Sequence, residues 1–140
     1  MVFEAQVIDR YPARPYADGF DVPVNIGMFC FPHNVVLHSE PRPPTLFSFA
    51  LTTQYGTLLY CTVITWWYRM SDAQVCDMLR LCGDEVTSHT WASRMLVAGA
   101  AAPSSVYAPT ALCIVSHHAF LNACGCILRK LVRVLNSHSP

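Results

Sequence analysis

Cys124-Gly125-Cys126 lies a few residues beyond His117 and His118, and thiolates with imidazoles are the ligands that zinc takes. Structural zinc sites usually place two or more residues between paired cysteines, and residues two apart on a helix point to different faces. A metal centre is therefore not expected. Cys113 and His117 have the types of a nucleophile and its base. Cys113, however, sits in an almost wholly apolar run, and nothing in the sequence supplies a third orienting group or a reason for a lowered thiol pKa. His33 and His38 flank the apolar triplet Val35-Val36-Leu37 and read as loop residues. Gly99 among its alanines has no Gly-Lys-Ser/Thr after it, so it makes no phosphate loop. These residues point to no catalytic group, no metal and no cofactor.

What remains is chemistry of contact. Trp66, Trp67 and Tyr68 are three consecutive aromatics of the kind that anchor interfaces, set against the equally physical reading that they fill a core. Arg129, Lys130 and Arg133 cluster near the end of the chain and could meet acidic lipid or a protein partner; a solvated helix face is the plainer reading. His118 stands just ahead of that cluster. The candidate partner-contact residues are thus Trp66, Tyr68, His118, Arg129, Lys130 and Arg133.

Composition narrows the class further. Nine basic residues balance nine acidic ones, which leaves no electrostatic footprint for nucleic acid. Only 13% of the 140 residues are charged and 53% are hydrophobic, rich for a free-standing soluble monomer, so apolar surface is expected to meet a partner. The charge-free runs Pro43–Tyr68 and Met95–Leu128 are interrupted by polar residues or proline, and neither offers the roughly 20 apolar residues of a membrane span. No signal peptide opens the chain, since Glu4, Gln6 and Asp9 break the start. Seven cysteines, an odd number mostly inside apolar patterns, read as reduced buried thiols of a cytoplasmic protein.

The elements that would position these residues centre on Leu46–Tyr68. Phe47, Phe49 and Leu51 alternate with Ser48 and Ala50; after Thr53-Gln54-Tyr55-Gly56, apolar residues occupy both faces of Leu59–Tyr68. The pattern predicts a hairpin whose second strand is central and covered on both sides. Upstream, Val2–Tyr11 reads as an extended edge, Pro12–Asp21 as a loop, and Val22–Phe31 as a strand through Val24, Ile26, Met28 and Cys30. Val35–Leu37 is a brief extended piece before the irregular Glu40–Pro44.

Downstream, Ser71 with Gln74 has capping-box spacing and opens a helix to Cys82, with Val75, Met78, Leu79 and Cys82 on one face and Gly83 as its stop. From Asp84 to Ser105 the pattern dissolves into a surface excursion with room for a short helix over Trp91–Val97. Pro109–Val115 reads as a buried strand. Ser116 then caps a last helix to about Leu135 with a buried stripe of Phe120, Leu121, Cys124, Leu128, Leu131, Val132 and Leu135; the tail Asn136–Pro140 is expected to fray. Gly125 inside that helix suggests a close packing contact. The fold class is α/β (α+β), with a mainly antiparallel central sheet flanked by helices.

Five stretches carry a family likeness: IDRYP (Ile8–Pro12), GMFCFP (Gly27–Pro32), PPTLFSFALT (Pro43–Thr52), YGTLLYCTVITWWY (Tyr55–Tyr68) and YAPTALCIVSHHAFLNACGCILRKLVRVL (Tyr107–Leu135). In that order they resemble the upstream part of a DENN domain followed by the opening of its central part. The resemblance implies a longin-like module in which 1–69 is the upstream-DENN strands and hairpin, 70–106 a helix and variable excursion, and 107–140 the strand and long helix opening the central part, all one structural domain.

It further implies the amino-terminal lobe of a guanine-nucleotide exchange factor for Rab GTPases in membrane traffic, without covalent catalysis. The Rab GTPase would be the partner, with a second lobe or another longin-type subunit beside it. The protein would be cytoplasmic, compatible with peripheral association on vesicle membranes. Relative to the family pattern the chain lacks a first strand and the second lobe, Ala119 stands where proline is common, and Cys124 and Gly125 replace larger residues. It therefore reads as a fragment or short product, weak or inactive in exchange by itself. The alternative is a stand-alone longin-like interaction or scaffold module without exchange activity; a small thiol enzyme is a distant third.

Overall fold

The computed structural model describes residues 3–13, 22–23, 25–53, 55–82 and 105–137. Its centre is the hairpin of β1 (Thr45–Thr52) and β2 (Leu58–Arg69), which pair antiparallel with Thr45 opposite Thr65 and Thr52 opposite Leu58. Gly56 turns the chain with φ 79°, a conformation glycine adopts without the Cβ penalty, and its N–H donates to the Thr53 carbonyl at 2.9 Å. β3 (Tyr107–Ser116) adds antiparallel to the other side of β2, from Tyr60 opposite Ser116 to Arg69 opposite Tyr107. The sheet order is β1-β2-β3, so β2 is central. The fold is α+β: three antiparallel strands with three helices among the described residues.

Both faces of β2 are covered, for the reason its sequence indicates. Cys61 and Val63 point to one side, where they pack with Ile26 and Cys30 of the short helix α1 (Ile26–Cys30) and with Phe47, Phe49, Cys113 and Val115 of the flanking strands. Ile64 points to the other side, beneath Leu128 and Val132 of the long helix α3 (Leu121–Ser137), with Leu46, Trp66, Leu112 and Ile114 around them. Two buried threonines do not break this core. The Ser48 hydroxyl donates to Thr62 Oγ1 across the hairpin at 3.3 Å, and Thr65 Oγ1 donates to the Thr45 carbonyl at 3.3 Å.

α1 corrects the strand expected over Val22–Phe31. The N–H of Ile26 donates to the Pro23 carbonyl and that of Met28 to the Asn25 carbonyl, so the chain coils immediately after proline. Ile26 and Cys30, four apart, then share the buried side of one helical turn, while Met28, expected beside them, is exposed. Gly27 fits because its backbone lies against Ala5; a Cβ there would stand 3.0 Å from the Ala5 carbonyl oxygen. Residues at spacing two and four satisfy both periods over so short a run. Ahead of α1, the extended edge survives as one antiparallel bridge, Phe3 with Val35. His38 bridges Tyr107 at the outer edge of β3, matching the brief extended piece before the prolines.

α2 (Asp72–Cys82) begins with the expected reciprocal cap: the Ser71 N–H donates to Gln74 Oε1 at 2.9 Å and the Gln74 N–H to Ser71 Oγ at 3.3 Å. Val75 is buried and Met78 half-buried; the side chains expected beside them, Leu79 and Cys82, lie outside what is described. The stop at Gly83, the excursion over Asp84–Ser105 and its short helix at Trp91–Val97 likewise lie outside the described residues, Ser105 apart, as does most of the loop Pro12–Asp21.

The last helix also departs from expectation. It begins at Leu121, five residues beyond Ser116, which instead closes β3 and accepts the His118 N–H on its hydroxyl at 3.0 Å. It continues through Ser137, two residues past the expected end. Cys124, Gly125, Leu128 and Val132 are its buried residues, whereas Phe120, Leu121, Leu131 and Leu135 of the expected stripe are exposed. A three-stranded sheet reaches only a narrow strip of the helix above it. The close contact suggested by Gly125 is present: a Cβ there would sit 3.1 Å from Leu46 Cδ2. β3 is half-buried along most of its length rather than buried, as befits a flanking strand.

Candidate functional site

The six residues expected to contact a partner do not converge. Trp66 lies on the face of β2 that α3 covers and packs with the Ile64, Leu128 and Val132 cluster. Tyr68 shares that face two residues on, where it is 41% exposed. His118 belongs to the turn after β3 and lies against the Phe120 ring with centroids 5.5 Å apart. Because Tyr60 is opposite Ser116 and Tyr68 opposite Ala108, Tyr68 and the turn bearing His118 mark opposite ends of the sheet. At about 3.3 Å per residue they are separated by roughly 25 Å. Arg129, Lys130 and Arg133 are exposed together on α3, the one subset the structure assembles into a patch.

Trp67 turns to the face opposite Trp66. Its ring meets His38 edge-on at 6.1 Å, and its indole Nε1 is buried with no hydrogen-bond partner among the described residues. Burial, reinforced by the nearby Arg42 charge, holds the His38 imidazole below its ordinary pKa of 6.5. Beside it the chain from His38 to Pro43 lines an open, mainly polar depression of about 340 Å³. Ser39, Glu40 and Arg42 line it with His38, and the Pro41, Pro43 and Pro44 backbone cannot offer the row of N–H groups an anion would need.

A third feature, a cluster of thiols from three separate elements, has no signature in residue spacing. Cys113 of β3 packs against Cys30 of α1 and Cys61 of β2, and interaction with these two thiols together with burial pushes the Cys113 thiol well above its ordinary range. Strand register, with Cys113 opposite Val63 and hence diagonal to Cys61, brings two of these thiols to one face, and the packing of α1 on that face adds Cys30. A thiol so held is a poor nucleophile, and His117, on the exposed turn beyond β3, is not among the groups acting on it. Cys124 is one of the buried residues of α3, while Cys126, its neighbour in the Cys-Gly-Cys run, is exposed. Among the described residues no group of three or more His, Cys, Asp or Glu side chains is placed to hold a metal ion.

The geometry thus offers packed strands and exposed helix surface, and no described reaction centre. Comparison with known proteins adds one finding. Residues 5–66, which run through α1 and β1 to Trp66 of β2, match the family model of the uDENN domain. The chain is related to the DENN family. No curated protein and no solved structure matches it. Among the described residues no helix is long and apolar enough to cross a membrane.

Proposed function

We propose that this chain is the amino-terminal, longin-like lobe of a DENN-type guanine-nucleotide exchange factor and that it binds a Rab-family GTPase through protein–protein contact. The uDENN match over residues 5–66 is the observation that carries this reading. The antiparallel pairing of β2 with β3, and the long helix that follows β3, support it, since Tyr107–Leu135 is the stretch that resembles the opening of the central DENN part. The whole described structure then acts as one lobe, with 1–69, 70–106 and 107–140 as its successive parts. Tyr68 and His118 would contribute only at their separate ends of the sheet.

Exchange requires no covalent step. It requires that the factor bind the nucleotide-free GTPase more tightly than the nucleotide-bound one, since binding and nucleotide affinity are reciprocally linked. By the same linkage a single lobe that grips only part of the switch surface shifts nucleotide affinity weakly. The direct test is equilibrium binding of the 140-residue chain to a panel of immobilised Rab GTPases, each prepared GDP-bound and nucleotide-free. The reading predicts at least one Rab bound more tightly when nucleotide-free. Binding to none, or equal binding of both forms, contradicts it and leaves a scaffold module without exchange activity.

A further inference from the structure

α3 presents a second apolar row that the sheet does not reach. Cys124, Leu128 and Val132 face the strands, but Ile127, Leu131 and Val134, spaced four and three apart, are 50%, 46% and 54% exposed. Phe120, seven residues before Ile127, extends the same row from the helix start and is 62% exposed. Lys130 stands three from Ile127 and four from Val134, so it borders this row, and Arg129 and Arg133 continue the basic side. None of the three cations forms an ion pair with a described carboxylate.

The charge along this helix has one sign. All nine acidic residues lie at or before Glu85, whereas Arg94, Arg129, Lys130 and Arg133 follow it. A chain with zero formal net charge therefore keeps its α3 segment free of Asp and Glu. From this complementarity we infer that the outer side of α3 is a docking surface for an anionic lipid bilayer. Ile127, Leu131, Val134 and Phe120 enter the headgroup–acyl boundary while Lys130, Arg129 and Arg133 lie at the level of the lipid phosphates. A convex helix mounted on a sheet suits a broad, deformable, uniformly anionic surface, whereas a protein partner would have to supply a matching apolar groove lined with carboxylates. With no described helix able to span a membrane, this contact is peripheral.

The test needs no GTPase, so it can fail independently of the Rab reading. The full chain is sedimented with vesicles of phosphatidylcholine alone and of phosphatidylcholine containing about one-third phosphatidylserine, at about 0.1 M and about 0.5 M salt, conditions that span strong changes in screening. Binding is expected on the anionic vesicles, falling at high salt, with little on the neutral ones. Replacing Arg129, Lys130 and Arg133 by Ser should weaken it about fivefold per cation removed. The double variant Ile127→Ser, Val134→Ser should weaken it while preserving salt dependence. The salt response of the unaltered chain decides the matter even if a variant folds poorly. Equal binding to neutral vesicles, undiminished binding of a folded triple-serine variant, or no anionic-vesicle binding (with or without capture of an acidic amphipathic peptide) overturns the inference.

Discussion

Single residues set the tolerances of this structure. Leu128 is 1% exposed at the centre of the α3-side core, so Leu128→Ala removes packing on every side and is expected to cost about 2–5 kcal/mol in urea unfolding. Gly125 poses a finer question. A methyl group meets Leu46 Cδ2, the end of a flexible side chain, so Gly125→Ala is expected to change stability by less than about 1 kcal/mol as helix propensity offsets the crowding. Gly125→Val overpacks the same gap and should cost about 1–3 kcal/mol; a valine variant as stable as the parent would refute the close helix–strand contact.

The thiols divide in the same way. Alkylation of the native chain should modify Cys76 and Cys126 first and leave Cys30, Cys61, Cys113 and Cys124 until unfolding. Fast reaction at Cys113 would revive the thiol-enzyme reading that the cluster argues against. His38 supplies a pH prediction. Its folded pKa is lowered, so the unfolded chain binds the proton more readily, and stability from this site is lost as pH falls below 6.5. An imidazole titration by NMR should place its midpoint under that value, and a midpoint at or above it contradicts the assigned burial.

At the scale of elements, local chemistry and tertiary reach explain what could be read in the sequence. The hairpin was legible because alternation, a glycine turn and apolar residues on both faces agree on one answer. The Ser71–Gln74 cap was legible because two side chains and two N–H groups define it locally. α1 was not, because Ile26 and Cys30 obey helical spacing inside a run that also alternates, and tertiary contact with Cys61 and Val63 decides between them. The position of α3 along the chain was legible, but its buried stripe was not, since the number of strands beneath a helix determines which apolar residues are covered. The same limit kept the site partly hidden. Spacing placed Arg129, Lys130 and Arg133 together on one helix, whereas strand register separates Tyr68 from His118, and register together with the packing of α1 assembles the three thiols. The cap carries its own prediction. Ser71→Ala should destabilise the start of α2 by about 0.5–2 kcal/mol. Since Val75 is the one α2 side chain described as buried, the loss should appear as faster amide exchange within α2. Equal loss of protection in β2 would mean that α2 is coupled to the sheet.

For the whole molecule, a sheet of three described strands covered by one short and one long helix leaves substantial apolar surface in contact with water. β1 has no described partner on its outer edge, and uncharged edge strands tend to pair with other chains. Concentration-dependent self-association is therefore expected in gel filtration, and a sharp monomeric peak with cooperative unfolding would contradict it. Surface of this kind suits the contact functions proposed above.

The proposed exchange function is measurable as nucleotide release. The decisive experiment is release of fluorescent GDP from a panel of Rab GTPases by this chain, alone and joined to the second lobe of a DENN-family exchange factor. The account predicts weak or no acceleration by the chain alone and clear acceleration of at least one Rab by the joined form. Failure of the joined form on every Rab, with that second lobe correctly folded, would contradict it.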